Sequence, residues 1–164
     1  MKKLVIIAVA AIMVASMAPR AHSIGAFLSY WNGEDTNNGY GLGLSHQFKI
    51  IPLISAEARA SWLSFSENDT DLSLYPLEGL ARVKLGLFYL GAGFGYYIYS
   101  SGNDASVDNS WGGFGVGGIE FTIAKIGAFA ELKYTYTTTK VSDTNIDVDG
   151  SGIGVNVGVI FNWL

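Results

Sequence analysis

The chain contains no cysteine among its 164 residues. Without cysteine it has neither a disulfide framework nor a thiolate metal site. Histidine is also rare, with two residues in the whole sequence. Thiol chemistry is therefore excluded, and any chemistry that depends on imidazole has few candidates.

Charged residues are scarce as well. They make up 15% of the chain, against about 25% in ordinary soluble proteins, while hydrophobic residues make up 49%. The formal net charge is −4, and it becomes −7 if the basic residues Lys2, Lys3 and Arg20 are removed with the N-terminal leader described below. An acidic chain of this kind disfavours nucleic acid as a partner. The composition predicts a single domain in an apolar setting.

Long hydrophobic runs are absent, apart from a short one near the N-terminus. Residues 4–15 are apolar, follow two lysines, and precede the small-x-small sequence "AHS" at 21–23. This order predicts a secretory signal peptide over 1–23 and a mature domain over 24–164. A retained membrane anchor is the alternative, but the run is much shorter than the ~20 residues that span a bilayer core.

Beyond residue 24 the sequence alternates between apolar and other residues with a period of two. Four segments show this most clearly: 54–62, 77–85, 128–136 and 153–163. Each is predicted as a strand with one wholly apolar face. Helical spans are excluded because glycine is scattered through every apolar segment, at a cost to a helix of about 1 kcal/mol each. With the less regular segments, eight strands are predicted, at 24–32, 39–50, 53–65, 74–86, 88–100, 110–123, 127–140 and 151–164.

The phase of the sixth predicted strand is open. Its paired glycines, Gly112-Gly113 and Gly117-Gly118, are candidate positions for a β-bulge. A bulge at either position would exchange the two faces of the strand.

The predicted connections alternate in length. Those after the second, fourth and sixth strands are tight, whereas those after the first, third, fifth and seventh are long, polar and acidic. Most of the strands reach the roughly 9 to 11 residues that a tilted strand needs to cross a bilayer. The predicted fold class is an all-β, eight-stranded antiparallel up-and-down transmembrane β-barrel, with both ends of the mature chain on the periplasmic side.

Charged residues of the strands lie opposite the apolar face. They are Glu57, Arg59, Glu78, Arg82, Lys84, Glu131 and Lys133, and Glu120 is expected to join them. A soluble ligand-binding barrel is the alternative, but its exterior would carry too few charges to remain in solution. If the apolar face meets lipid, four acids and four bases share a narrow interior and must form ion pairs. Gly91, Gly93 and Gly95 then point inward and make room for longer side chains.

Aromatic residues concentrate near both ends of the predicted strands. Near the long loops lie Trp31, Tyr40, Trp62, Tyr75, Tyr97, Tyr99, Trp111, Tyr134 and Tyr136. Near the short turns lie Phe48, Phe88, Phe121, Phe129, Phe161 and Trp163. This distribution predicts two aromatic belts, one at each membrane surface.

The glycine-rich "WGGFGVGGIEF" and the terminal "GVNVGVIFNWL", together with the signal and the eight strands, resemble the small outer-membrane β-barrel family typified by OmpA and OmpX. The resemblance covers the predicted mature chain, which ends at Leu164 where the family pattern has an aromatic residue. Membership implies a location in the bacterial outer membrane, among lipid and lipopolysaccharide. It also implies insertion by the barrel assembly machinery.

No catalytic, cofactor or metal site is predicted. His46, in "LSHQF", would need a neighbouring nucleophile and an orienting acid to act as a base, and it is predicted to be a structural residue facing the membrane interface. The segment "NIDVDG" at 145–150 has the spacing that opens a calcium loop, but Asn156 stands where glutamate is needed. An EF-hand is therefore excluded, and a solvated acidic loop is predicted. Weak divalent-ion bridging to lipopolysaccharide is the alternative for this loop.

Most of the acidic residues fall in the predicted long loops. These ten of the 14 are Glu34, Asp35, Glu67, Asp69, Asp71, Asp104, Asp108, Asp143, Asp147 and Asp149. Function is expected in those loops. The sequence predicts a non-enzymatic outer-membrane protein whose barrel is a scaffold for four acidic loops and whose surface partner is unknown. The alternatives are a narrow pore gated by the interior charges and a lipid-modifying enzyme.

Overall fold

The computed structural model describes residues 22–33, 38–67, 70–101, 109–140 and 147–163. Its strands are β1 (His22–Gly33), β2 (Gly39–Ile51), β3 (Ile54–Glu67), β4 (Thr70–Leu85), β5 (Phe88–Ser101), β6 (Ser110–Ile123), β7 (Ile126–Lys140), β8 (Asp147–Asp149) and β9 (Gly152–Trp163). No helix in these ranges is long and apolar enough to cross a membrane. The predicted signal peptide lies outside them except for His22 and Ser23, which begin β1.

The strands form a closed antiparallel barrel. The sheet order is β6-β5-β4-β3-β2-β1-β9-β7-β8, and β6 also pairs with β7, which closes the wall. The short β8 continues the line of β9, because Thr138 pairs with Asp149 in the same register in which Thr135 pairs with Gly152. The prediction of an eight-stranded up-and-down barrel is therefore confirmed, with β8 as an extension beyond the rim that the sequence pattern did not indicate.

The tight connections lie at one end of the barrel, together with the start of β1 and the end of β9. They are two-residue turns at Pro52-Leu53, Gly86-Leu87 and Ala124-Lys125. Gly86 and Ala124 have φ angles of 65° and 53°, and the first central residue of a type II′ hairpin turn requires a positive φ. We call this end of the barrel the turn end and the opposite end the loop end.

The β6 strand keeps one phase along its whole length. Its ladders to β5 and β7 run without a register shift, so neither glycine pair forms a bulge. Gly113 therefore faces outward, whereas Glu120 points into the barrel and is buried. In the ladders that the structure describes, the one shift in register lies between Lys49 and Ile51, beside a turn.

The outer face of the barrel is apolar and exposed. Phe94 is 74% exposed and Leu28 is 70% exposed. Other large apolar side chains on this face include Leu42, Leu44, Leu90, Leu132, Val157 and Val159. A surface of this size and composition would associate in water, and it matches acyl chains instead. The predicted orientation, with the apolar face outward, is confirmed.

The glycines of β5 face inward and stand beside the longest side chains of β4. Gly91 pairs with Arg82, and Gly95 pairs with Glu78. At Gly93, a Cβ atom would lie 2.1 Å from a backbone carbonyl oxygen of β4. These positions need glycine because the neighbouring strand and its side chains take up the space, as predicted.

Candidate functional site in the barrel interior

A chain of alternating charges begins at the turn end. Lys84 Nζ lies 2.5 Å from Glu120 Oε1, and the other oxygen of Glu120 lies 2.8 Å from Arg82 Nη2. Arg82 Nη1 then lies 2.8 Å from Glu57 Oε2. Arg82 is further held by the ring of Tyr89, whose centroid lies 3.7 Å from the guanidinium carbon. The first half of the chain thus crosses the lumen between β4, β6 and β3.

The chain ends in the middle of the barrel, at Glu131. Arg59 Nε lies 2.8 Å from Glu57, and its two terminal nitrogens bind both carboxylate oxygens of Glu131. Glu131 also accepts hydrogen bonds from the Tyr89 hydroxyl at 2.7 Å and from Asn156 Nδ2 at 2.8 Å. Every oxygen of this carboxylate therefore has two donors, which is the arrangement a buried charge requires.

A separate pair lies nearer the loop end. Lys133 Nζ donates to Glu78 at 2.5 Å, and the Tyr97 hydroxyl donates to the same oxygen at 3.2 Å. The ammonium group also lies 5.3 Å from the ring centroid of Trp31 and 5.2 Å from that of Phe114. These rings give the lysine a favourable environment without water.

The interior charges balance. Four acids and four bases take part in the six ion pairs, and apart from Lys84, at 34%, their side chains are less than a tenth exposed. All eight residues identified from the sequence point inward, and each contacts an opposite charge. The alternation of each strand brings them inside, and the register of the ladders decides which side chains meet.

Above the charges, towards the loop end, the lumen is filled by large side chains. We call this cluster the apolar plug; it consists of Trp31, Leu63, Phe65, Leu74 and Tyr97. Each of these side chains is at most 5% exposed, and Leu72 and Tyr99 pack against the cluster. Two further apolar clusters lie beside the ion-pair chain, one of Phe27, Phe129 and Ile160 and one of Leu80, Tyr89, Phe114 and Val116.

The plug corrects part of the predicted aromatic belt. Trp31 and Tyr97 are buried inside the barrel, not exposed at the membrane surface, and Phe129 is buried too. The reason is their phase: Trp31 lies an even number of residues from the inward Gly25 and Phe27, and Tyr97 from Gly95. Alternation overrides position along the strand. The remaining tryptophans and several other aromatic residues of the two predicted belts do lie exposed on the outer face, namely Trp62, Trp111, Tyr134, Tyr136, Phe161 and Trp163.

Tyr99 also departs from the predicted belt. It packs against the apolar plug, and its side chain is partly buried. Its backbone N–H donates to the side-chain oxygen of Asn109 at 3.2 Å. Tyr99 therefore contacts the plug and not the membrane surface.

The remaining candidates for chemistry do not form a site in the described ranges. His46 is buried beneath aromatic neighbours near the turn end, with ring centroids 5.0 Å from Phe48 and 5.5 Å from His22. Asp147 and Asp149 lie in β8, while Asn145 of the calcium-like segment lies outside the described residues. No group of His, Asp or Glu placed to hold a metal ion occurs in the part of the chain that is described.

The predicted acidic loops lie mostly outside the described residues. Six of their acids are there, Glu34, Asp35, Asp69, Asp104, Asp108 and Asp143. Glu67 lies in β3 and Asp71 lies in β4. The ladder between these two strands extends to the pair of Glu67 and Thr70. The hairpin is longer than the pattern indicated, since β4 begins at Thr70 and not at 74.

A closed wall of eight antiparallel strands, with an apolar outer face and a charge-paired interior, defines a transmembrane β-barrel. The family described as the outer membrane protein beta-barrel domain matches residues 6–161. The chain belongs to that family and is a protein of the bacterial outer membrane. The resemblance to small outer-membrane barrels is thereby confirmed.

Solved structures with the same fold are distant in sequence. OprG from Pseudomonas aeruginosa is 13% identical, with a TM-score of 0.68 over 88% of this chain and 96% of that chain. Neisserial surface protein A is 16% identical, with a TM-score of 0.66 over 89% of this chain and 98% of that chain. A de novo designed transmembrane β-barrel is 13% identical, with a TM-score of 0.54 over 90% of this chain and 98% of the design. No curated protein sequence matches this chain significantly.

These likenesses establish the fold alone. A designed barrel shares it, so the architecture carries no particular activity with it. The function depends on the residues of this chain.

Proposed function

We propose that this protein is a non-enzymatic scaffold, whose filled barrel anchors four acidic loops at the outer surface of the membrane. One observation carries the proposal: every charged side chain that the structure describes in the lumen has an opposite partner within contact distance, and large side chains lie above them. Such an interior joins the strands of the barrel wall to one another. Interaction with the surroundings is left to the loops, where most of the acids lie.

The proposal assigns the loop end to the cell exterior and the turn end to the periplasm. Short periplasmic turns and long outer loops are the usual arrangement in such barrels. It also assigns residues 1–23 to a cleaved signal, and insertion to the barrel assembly machinery. Acidic loops repel the anionic groups of lipopolysaccharide, so contact between them requires bridging divalent cations, for which carboxylates are suitable ligands.

The geometry argues against a lipid-modifying enzyme. A general base must reach the proton that it removes, with a nucleophile nearby. The histidine that the sequence offered, His46, packs against Phe48 near the turn end, on the side away from the long loops. The described carboxylates of the lumen are bound to Arg or Lys, so none of them is available as a base for an external substrate.

A first experiment combines cell fractionation with protease shaving of intact cells. The protein is expected in the outer-membrane fraction, with cleavage confined to the long loops. Deletion of the loop tips should preserve the shift in gel mobility between heated and unheated samples, which reports a folded barrel. Loss of that shift on deletion, or changed lipid A mass spectra on overexpression, would contradict the proposal.

A second candidate is a narrow pore gated by the interior ion pairs. It is favoured by Lys84, whose 34% exposed side chain leads from the turn end to the ion-pair chain. Planar-bilayer recordings decide between the two candidates. The scaffold predicts no conductance by the wild type, whereas a gated pore predicts openings that increase in Arg82→Ala.

A further inference from the structure

We infer that the apolar plug, and not the ion-pair chain, is the seal of this barrel. The inference rests on the proposed function in one respect, namely that the intact barrel does not conduct. It goes further by assigning the barrier to five side chains at the loop end, Trp31, Leu63, Phe65, Leu74 and Tyr97, and by making the charges below them dispensable for closure.

The five large side chains of the plug come from β1, β3, β4 and β5, and glycines of the neighbouring strands β2 and β9 lie against them. On β2, a Cβ atom at Gly39 would lie 2.5 Å from the ring of Phe65. On β9, a Cβ atom at Gly152 would lie 2.9 Å from Trp31 Nε1. These glycines let the large side chains lie against the neighbouring strands. Because the cluster joins Trp31 of β1 to Tyr97 of β5, which stand on opposite sides of the wall, it spans the lumen.

The remaining part of the wall around the plug is formed by β6 and β7. A Cβ atom at Gly112 would lie 3.0 Å from the ring of Tyr97. Thr135 and Thr137 are 0% and 1% exposed. Thr137 Oγ1 lies 3.0 Å from Ser110 Oγ and within 3.2 Å of the Trp111 carbonyl oxygen, so this hydroxyl bonds within the wall. All eight strands of the wall thus contribute to the closed layer.

The ion-pair chain differs from the plug as a barrier. Its groups sit on long flexible side chains, and its first member, Lys84, is open to solvent at 34%. Charged and hydrogen-bonding groups can replace the hydration shell of an ion, whereas an apolar constriction blocks ions because water is unstable inside it. An ion entering from the turn end would find partners as far as Glu131 and Lys133, and would then meet the ring of Trp31. The barrier therefore lies at the plug.

The test compares three variants of the full chain in planar bilayers, after folding is verified by heat-dependent gel mobility. Trp31→Ala opens the plug. Phe129→Ala removes an aromatic ring of the cluster formed with Phe27 and Ile160, outside the plug, and serves as the matched control. Arg59→Met with Glu131→Met removes one base and one acid, so the interior stays neutral. Single-channel openings are expected in Trp31→Ala, with none in the other two variants or in the wild type.

The outcomes separate this inference from the proposed function. Openings in the Arg59 and Glu131 double variant, or equal openings in Trp31→Ala and Phe129→Ala, overturn the plug as the seal. So does a folded Trp31→Ala barrel without openings. Conductance by the wild type overturns the scaffold proposal itself.

A second measurement holds even if Trp31→Ala does not fold. Because the chain has no cysteine, one introduced thiol is unique. A membrane-impermeant maleimide is expected to label Lys84→Cys when it reaches the turn end, and to leave Thr135→Cys unlabelled from either side. Labelling of Thr135→Cys in an otherwise unchanged barrel overturns the inference, and protection of Lys84→Cys from the turn end does so too.

Discussion

Replacing Glu131 by glutamine is expected to lower the free energy of unfolding of the barrel by about 3–5 kcal/mol, the usual cost of breaking a buried ion pair. Glu131 is fully buried and accepts hydrogen bonds from Arg59, Tyr89 and Asn156. The substitution leaves Arg59 with Glu57 as its one remaining acidic partner. It also turns an amide donor towards groups that are themselves donors.

The matched control is Lys84→Gln, at the other end of the same chain. Lys84 is 34% exposed, and its partner Glu120 keeps Arg82 at 2.8 Å. A pair that is open to water contributes less than about 1 kcal/mol. The structure therefore predicts a cost at least about three times smaller for Lys84→Gln than for Glu131→Gln.

Both costs are measured by urea unfolding in lipid vesicles, followed by tryptophan fluorescence and by gel mobility without heating. Adding Arg59→Met to Glu131→Gln should recover part of the loss, because the pair is then removed as a unit. Equal costs for Glu131→Gln and Lys84→Gln would refute the reasoning, since they would mean that burial does not decide the strength of these pairs.

Three further predictions use the same unfolding assay. Gly93→Ala should cost about 1–3 kcal/mol, because its Cβ would lie 2.1 Å from a carbonyl oxygen, whereas Gly115→Ala, with its nearest atom 3.9 Å away, should be nearly neutral; equal costs would contradict the inward packing. Leu132→Arg, mid-strand on the outer face, should cost about 2–4 kcal/mol and Ile123→Arg, beside a turn, about 0–1, and the reverse order would contradict the placement in lipid. Ala124→Gly should stabilise the barrel by about 1 kcal/mol, because Ala124 has a φ of 53°; a loss of stability would argue against strain at this turn.

The strand pattern and the direction of the faces were predictable because lipid imposes a strict period of two on this wall. In β9, Val155, Val157 and Val159 alternate with Asn156 and Gly158. If the outer face is apolar, the valines must face lipid and the other two residues must face the lumen. The same rule predicts that Trp31 and Tyr97 face inward. Their positions near the strand ends had instead suggested that they belong to the aromatic belts. Of the two signals, phase was the stronger.

The partners within the lumen were not predictable from the pattern. Arg59 and Glu131 are 72 residues apart, on β3 and β7, and they meet because of how the ladders are staggered around the barrel. The alternation fixes which side a residue faces but not its height in the lumen. For the same reason the position of the plug, between the interior charges and the loop end, emerged from the structure.

The ladder between β1 and β9 has a consequence for how the barrel is assembled. It joins segments far apart in sequence, as in the pairing of Ala26 with Val159. Until this seam forms, two strand edges expose N–H and C=O groups that acyl chains cannot solvate. Contacts of such long range form slowly. Insertion into the bilayer therefore requires that both strand edges are shielded until β1 and β9 have paired.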